Sequence, residues 1–102
     1  MNQETSHVEY NTETILQEIV HLLEDLTSDW DLELPDGIRA ETRLIADLAF
    51  ESIDVVQLIV VIQERFMRRD LPFEKLLMIN GRYVEELRVE AVVDFLHKYL
   101  NP

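Results

Sequence analysis

One serine, Ser52, stands between Glu51 and Asp54 at the edge of a strongly apolar run. Eight of the ten residues from Ile53 to Ile62 are aliphatic, so the serine marks where a helix should begin. A hydroxyl in that place can do two things. It can accept an orphan backbone N–H, which stabilises a helix start by about 1 kcal/mol. It can also carry a covalent group, because free N–H groups and the positive end of the helix dipole favour an attached anion such as a phosphate ester. To act as a nucleophile in its own right it would need a base beside it. The three histidines, His7, His21 and His97, are isolated from one another, and no nucleophile–base pair is supported.

Other chemistries find less. The chain has no cysteine, which excludes disulfides, thiolate metal sites and a cysteine nucleophile and fits a reducing, cytoplasmic setting. The stretch DWDLELPDG spaces Asp29, Asp31 and Glu33 like a calcium loop, but Leu34 stands where glycine should follow and the twelfth-position glutamate is missing. With only Gly37 and Gly81 there is no phosphate-cradling loop. No metal site is expected.

The elements that must position Ser52 follow from periodicity. Residues 1–11 show none and are expected to form a flexible tail ahead of a single domain over 12–102. A first helix should start near Thr12 or Thr14, with Thr14 and Gln17 as a capping box, and bury Ile15, Ile19, Leu22, Leu23 and Leu26. A long loop follows, turned at Pro35, Asp36 and Gly37 and anchored by Trp30, Leu32, Leu34, Ile38, Leu44 and Leu48. The second helix should run from Ser52 to Phe66 or Met67, with Val55, Leu58, Ile59, Ile62 and Phe66 inward. Since its flanks are apolar too, it is expected to be the central helix, touching every other element. In the connector from Met67 to Arg88, FEKLLMI suits a short helix behind Pro72. Asn80–Gly81 either stops that helix or turns a small hairpin, and RYVEEL suits a further single turn. Val89, Val92, Val93, Leu96 and Leu100 mark the last helix. The expected fold is all-α, a small bundle of three main helices and one or two short ones.

Charge narrows the partners. The net charge is −12, and residues 1–38 hold ten acidic side chains and no Lys or Arg. Such a field repels phosphate backbones, so no nucleic-acid partner is expected; it steers toward partners with basic patches. No run is long and apolar enough to insert in a membrane, and the polar start MNQETSHVEY lacks the features of a signal peptide. A monomer is expected.

These residues together carry a resemblance. TRLIADLAFESIDVVQLIVVIQERF is similar to the carrier-site region of acyl carrier proteins, in which a Leu-Gly-x-Asp-Ser-Leu-type motif opens the second helix of a four-helix bundle. The matching positions are Leu44, Asp47, Leu48, Phe50, Ser52, Ile53, Asp54, Val56, Leu58, Glu64 and Phe66, and RVEAVVDFLHKYL resembles the family's last helix. The resemblance implies a four-helix bundle with a long loop between helices one and two and a short third helix. It also implies that Ser52 receives 4′-phosphopantetheine from coenzyme A, added by a magnesium-dependent phosphopantetheinyl transferase. The thiol of that arm would carry acyl groups as thioesters, so the sulfur absent from the chain would arrive with the cofactor. Acyl-activating, acyl-transferring or condensing enzymes would then do the chemistry on a protein that is not itself an enzyme. Glu51, Asp54, Val56, Gln57 and Glu64 would form the surface they read.

The sequence departs from the family's pattern in places. Ala49 stands where glycine is usual and Glu51 where aspartate is usual. Gln57 and Gln63 replace positions often acidic in fatty-acid-synthesis carriers, while Arg65, Arg68 and Arg69 make the helix end basic. The Gly-Gly-His-Ser pattern of peptidyl carriers is absent. These differences imply a specialised lipid, polyketide or secondary-metabolite carrier with dedicated partners. The alternative is an unmodified helical interaction module sharing the carrier fold.

Overall fold

The computed structural model describes residues 10–101. Its elements run α1 (Thr12–Leu26), α2 (Ser52–Phe66), α3 (Glu74–Leu77), β1 (Met78–Ile79), β2 (Arg82–Tyr83) and α4 (Val89–Leu100). The helical bundle expected from periodicity is there, with one addition: β1 and β2 pair antiparallel as a two-residue ribbon.

Helix α1 starts at Thr12, the earlier of the two expected positions and three residues before the Thr14–Gln17 box would place it. Asn11 is the N-cap, its side-chain oxygen accepting the Thr14 N–H at 2.8 Å. Asn11 outcompetes Thr14 because an Asx side chain reaches the third N–H from an extended backbone at little steric cost. The expected tail over residues 1–11 falls largely outside the described residues. Of its described members, Asn11 caps α1 and Tyr10 is tied to the far end of the chain: its N–H donates to Asn101 Oδ1 at 2.9 Å, and Asn101 Nδ2 donates to its carbonyl at 2.8 Å. The Tyr10 ring meets Phe66 edge-on at 5.4 Å.

Helix α2 has the expected bounds but not the expected place. The main backbone packing is α1 against α4, then α1 against α2, so α1 is the central helix. Leu58, Ile62 and Phe66 are buried, whereas Ile53, Val56 and Val60 lie on the outside. The aliphatic flanks that suggested all-round burial are surface. Leu44, Leu48, Leu58, Ile62 and Leu96 join Ile15, Ile19 and Leu23 in one core with 2 % or less of each exposed. An Arg65–Glu18 ion pair at 3.1 Å crosses from α2 to α1.

The connector settles into hairpin rather than helix. FEKLLMI gives only one turn, Glu74–Leu77, and its last two residues enter β1. RYVEEL is not a helical turn: Arg82–Tyr83 form β2, and Arg88 bridges to Arg43. Asn80 and Gly81 adopt φ of 54° and 78°, the paired left-handed geometry that a two-residue hairpin loop requires. That local demand, which Asn-Gly meets better than any other dipeptide, decides the segment against a longer helix.

Candidate functional site

Ser52 is presented by the segment before it, and that segment is fixed at both ends. Leu44, Leu48 and Phe50 are buried anchors, exposed by 0 %, 0 % and 4 %. Between them the backbone coils on itself: the Asp47 N–H donates to Arg43 O at 2.9 Å, the Ala49 N–H to Ile45 O at 3.0 Å and the Phe50 N–H to Leu44 O at 3.0 Å. Asp47 closes the coil with its side chain. Its Oδ2 accepts the Arg43 N–H at 2.8 Å, and its Oδ1 meets the guanidinium at 3.1 Å. The hydrogen bonds and charge of Arg43 accordingly hold the Asp47 carboxyl below its ordinary range.

Ala49, at the position where the resemblance implies glycine, has φ at 59°. This is the left-handed region, where a Cβ meets the following carbonyl and costs roughly 1–2 kcal/mol. The chain therefore keeps the turn with a residue that is strained in it. Phe50, packed edge-on to Trp30 at 5.4 Å, secures the outcome.

Helix α2 is capped by Glu51, so the reading of Ser52 as the cap does not hold. Asp54, the third helical residue, accepts the Glu51 N–H at 2.7 Å. Ser52 is the first helical residue, exposed, and its hydroxyl makes no hydrogen bond among the described residues. It faces away from the core.

Beside it lies an apolar cleft of about 360 Å³. Its walls are Ser52, Val55 and Val56 of α2, Ile45 of the preceding loop, and a far side running from Leu77 through Tyr83 and Val84 to Leu87. The outer surface of α2 and of the segments beside it is unusual. Every strongly exposed large hydrophobic among the described residues belongs to α2 and its C-cap (Ile53, Val56, Val60, Met67), the hairpin (Ile79, Tyr83) or the loop entering α2 (Ile45). A solvated helix normally keeps its outer face polar. Of the candidate recognition residues, Glu51, Val56, Gln57 and Glu64 are exposed and Asp54 is half-buried in its capping role. Glu51, Asp54, Val56 and Gln57 flank Ser52, while Glu64 sits at the opposite end of α2.

One residue at this site carried no signal in the sequence. Glu86, on the cleft wall, accepts three backbone N–H groups: Ile45 at 2.8 Å and Leu87 at 2.9 Å on Oε2, and Ala46 at 2.9 Å on Oε1. Burial pushes its carboxyl up, but these N–H groups, with Arg43 nearby, outweigh it and hold the group below its ordinary value. Two of its partners are about forty residues away in sequence, so no local pattern could have marked it.

The acyl carrier protein of Campylobacter fetus subsp. fetus is 34 % identical over 58 residues, covering 53 % of this chain and 75 % of that protein. Those of Campylobacter curvus and Campylobacter hominis are each 35 % identical over 57 residues, covering 52 % of this chain and 74 % and 72 % of theirs. The chain belongs to the acyl carrier protein family. No family model matches it. Among the described residues no helix is long and apolar enough to cross a membrane.

Proposed function

We propose that this carrier-family protein is an acyl carrier, its carrier domain spanning residues 12–102 and its 4′-phosphopantetheine arm attached to Ser52 Oγ. The observation that carries this reading is an exposed serine hydroxyl, not consumed as a helix cap, at the N-terminus of a 15-residue helix and on the rim of an apolar cleft. These features fit the arm. The phosphodiester would lie at the positive end of the α2 dipole, with Glu51 and Asp54 taking over the capping that Ser52 would otherwise supply. The arm, once attached, supplies the thiol on which acyl groups travel as thioesters. The protein's own part is to hold Ser52 outward and offer apolar shelter beside it.

A phosphopantetheinyl transferase and acyl-activating, acyl-transferring or condensing enzymes are the partners of this reading. They would dock on the outer face of α2, reading Glu51, Val56, Gln57 and Glu64. The exposed Ile53, Val56 and Val60 favour partners that bury apolar surface there, in keeping with a specialised pathway.

The test is co-expression with a broad-specificity phosphopantetheinyl transferase, read by intact mass. The expected result is a gain of one phosphopantetheinyl group that Ser52→Ala abolishes. No gain, or a gain that survives Ser52→Ala, would overturn the carrier reading in favour of an unmodified interaction module.

A further inference from the structure

The Ser52 cleft has two walls that are not continuous in sequence. One is Ile45, in the loop leading into α2, with Ser52, Val55 and Val56 of α2 itself; the other is the segment from Leu77 to Leu87. Deeper in the fold these strands of chain are joined by main-chain bonds. The Leu44 N–H donates to Leu87 O, and the Val89 N–H to Thr42 O, each at 2.9 Å. At the cleft itself the joint is a side chain. Glu86 Oε2 and Oε1 take the N–H groups of Ile45 and Ala46, while Oε2 also takes the N–H of Leu87 in its own segment.

The geometry points to Glu86 as the residue that sets the width of the Ser52 cleft, and thereby the length of acyl chain the protein can shelter. This rests on the carrier reading of Ser52. A carboxylate is suited to the task. It has acceptor sites for three donors at once, and bonds to a charged acceptor are shorter and stronger than those between neutral groups. The staple spans the two walls across the rim, so releasing it lets Ile45 move away from Leu77 and Val84 while the inner bonds keep the fold closed. Glutamine at this position keeps the shape but loses the charge, and its amide nitrogen would face N–H groups that need an acceptor. The neighbouring Glu85 is exposed and makes no hydrogen bond among the described residues, which makes it the control.

The experiment compares wild type, Glu86→Gln and Glu85→Gln. Each is loaded by a broad-specificity transferase from acyl-coenzyme A thioesters of increasing straight-chain length. Intact mass first establishes loading at Ser52, and cleavage of the thioester by hydroxylamine then reads shelter. Every methylene that enters the cleft should slow cleavage by up to about fourfold, until the cleft is full and the rate levels off. In the wild type and Glu85→Gln this break is expected at the same chain length, and in Glu86→Gln at a longer one. Amide exchange of the unmodified proteins supplies a second reading, with Ile45 and Ala46 exchanging faster only in Glu86→Gln. A break at the same length in all three proteins overturns the assignment of Glu86 while leaving the carrier reading intact. Failure of every protein to gain the arm overturns both.

Discussion

The two segments that flank α2 are built on opposite plans. The one before it, residues 42–51, has three buried apolar anchors, a coil of backbone hydrogen bonds and carboxylate clamps from Asp47 and Glu86. The one after it, residues 67–88, holds a four-residue helix with no buried residue and a two-residue ribbon whose Ile79 and Tyr83 are 62 % and 75 % exposed. Its own anchors, Leu71, Phe73 and Leu87, sit near its ends. The difference assigns them different duties. A group attached at Ser52 needs a fixed origin, which the first segment provides. The cargo and partners that meet it need an adaptable wall, which the second provides.

Removing an anchor from the fixed segment should have the largest effect. Leu48 has no exposed surface, and Leu48→Ala deletes three buried carbons from the core. The expected loss is about 2–5 kcal/mol, a large part of the roughly 5–15 kcal/mol that holds a domain of this size. Urea denaturation measures it directly. A loss no greater than that of a surface substitution would remove the contrast between the two segments.

The two segments also differ in how far the sequence reveals them. Helices α1 and α4 could be placed from periodicity because each buries one apolar stripe, α2 from the length of its apolar run without Gly or Pro, and Ser52 from the break in pattern at the start of α2. The position of α2 in the bundle could not. Val56 and Val60 are chemically the same as core residues, and only their tertiary surroundings make them surface. The capping of α2 was obscured because Glu51 is a less usual N-cap than the serine beside it. The hairpin competed with a helix over FEKLLMI, whose residues favour helix, until the left-handed demand of Asn80–Gly81 settled it. Glu86 lay beyond any local reading, since its bonds to Ile45 and Ala46 exist only once the chain has folded.

The joint between the two segments should have an intermediate effect. Glu86→Gln is expected to destabilise by about 1–3 kcal/mol at neutral pH, because hydrogen bonds to a charged acceptor are lost. The pH dependence has a defined sign. The Glu86 carboxyl is held below its ordinary value in the fold, so its contribution is complete above that value and is lost as pH falls through the depressed one. The stability gap between wild type and Glu86→Gln should therefore be constant from pH 7 to about 5 and narrow below about pH 4. Melting curves of both proteins across that range check it, and a gap that widens in acid would contradict the staple.

Ala49 tests the fixed segment from the other direction. It is exposed, so glycine would lose no packing there, and its φ of 59° is a conformation glycine adopts freely. Relief of about 1–2 kcal/mol is offset in part by the greater freedom of glycine in the unfolded chain, about 0.4–1 kcal/mol. Ala49→Gly should thus stabilise by about 0.5–1 kcal/mol. A fall in the denaturation midpoint would mean that the turn does not carry the strain assigned to it.

The smallest change in stability should come from the adaptable segment, and there it is most informative. Tyr83 lines the Ser52 cleft but is 75 % exposed, so Tyr83→Ala should alter the stability by no more than about 0.5 kcal/mol. The same substitution removes one large side chain from the far wall of the cleft. Hydroxylamine cleavage of the acylated protein should then be faster than in wild type at every chain length long enough to reach the wall. Stability and shelter would be separated in a single side chain, something no buried anchor of the 42–51 segment should permit. If Tyr83→Ala unfolds the protein, the hairpin is part of the core after all. If it leaves both stability and cleavage unchanged, the cleft is not where the acyl chain rests.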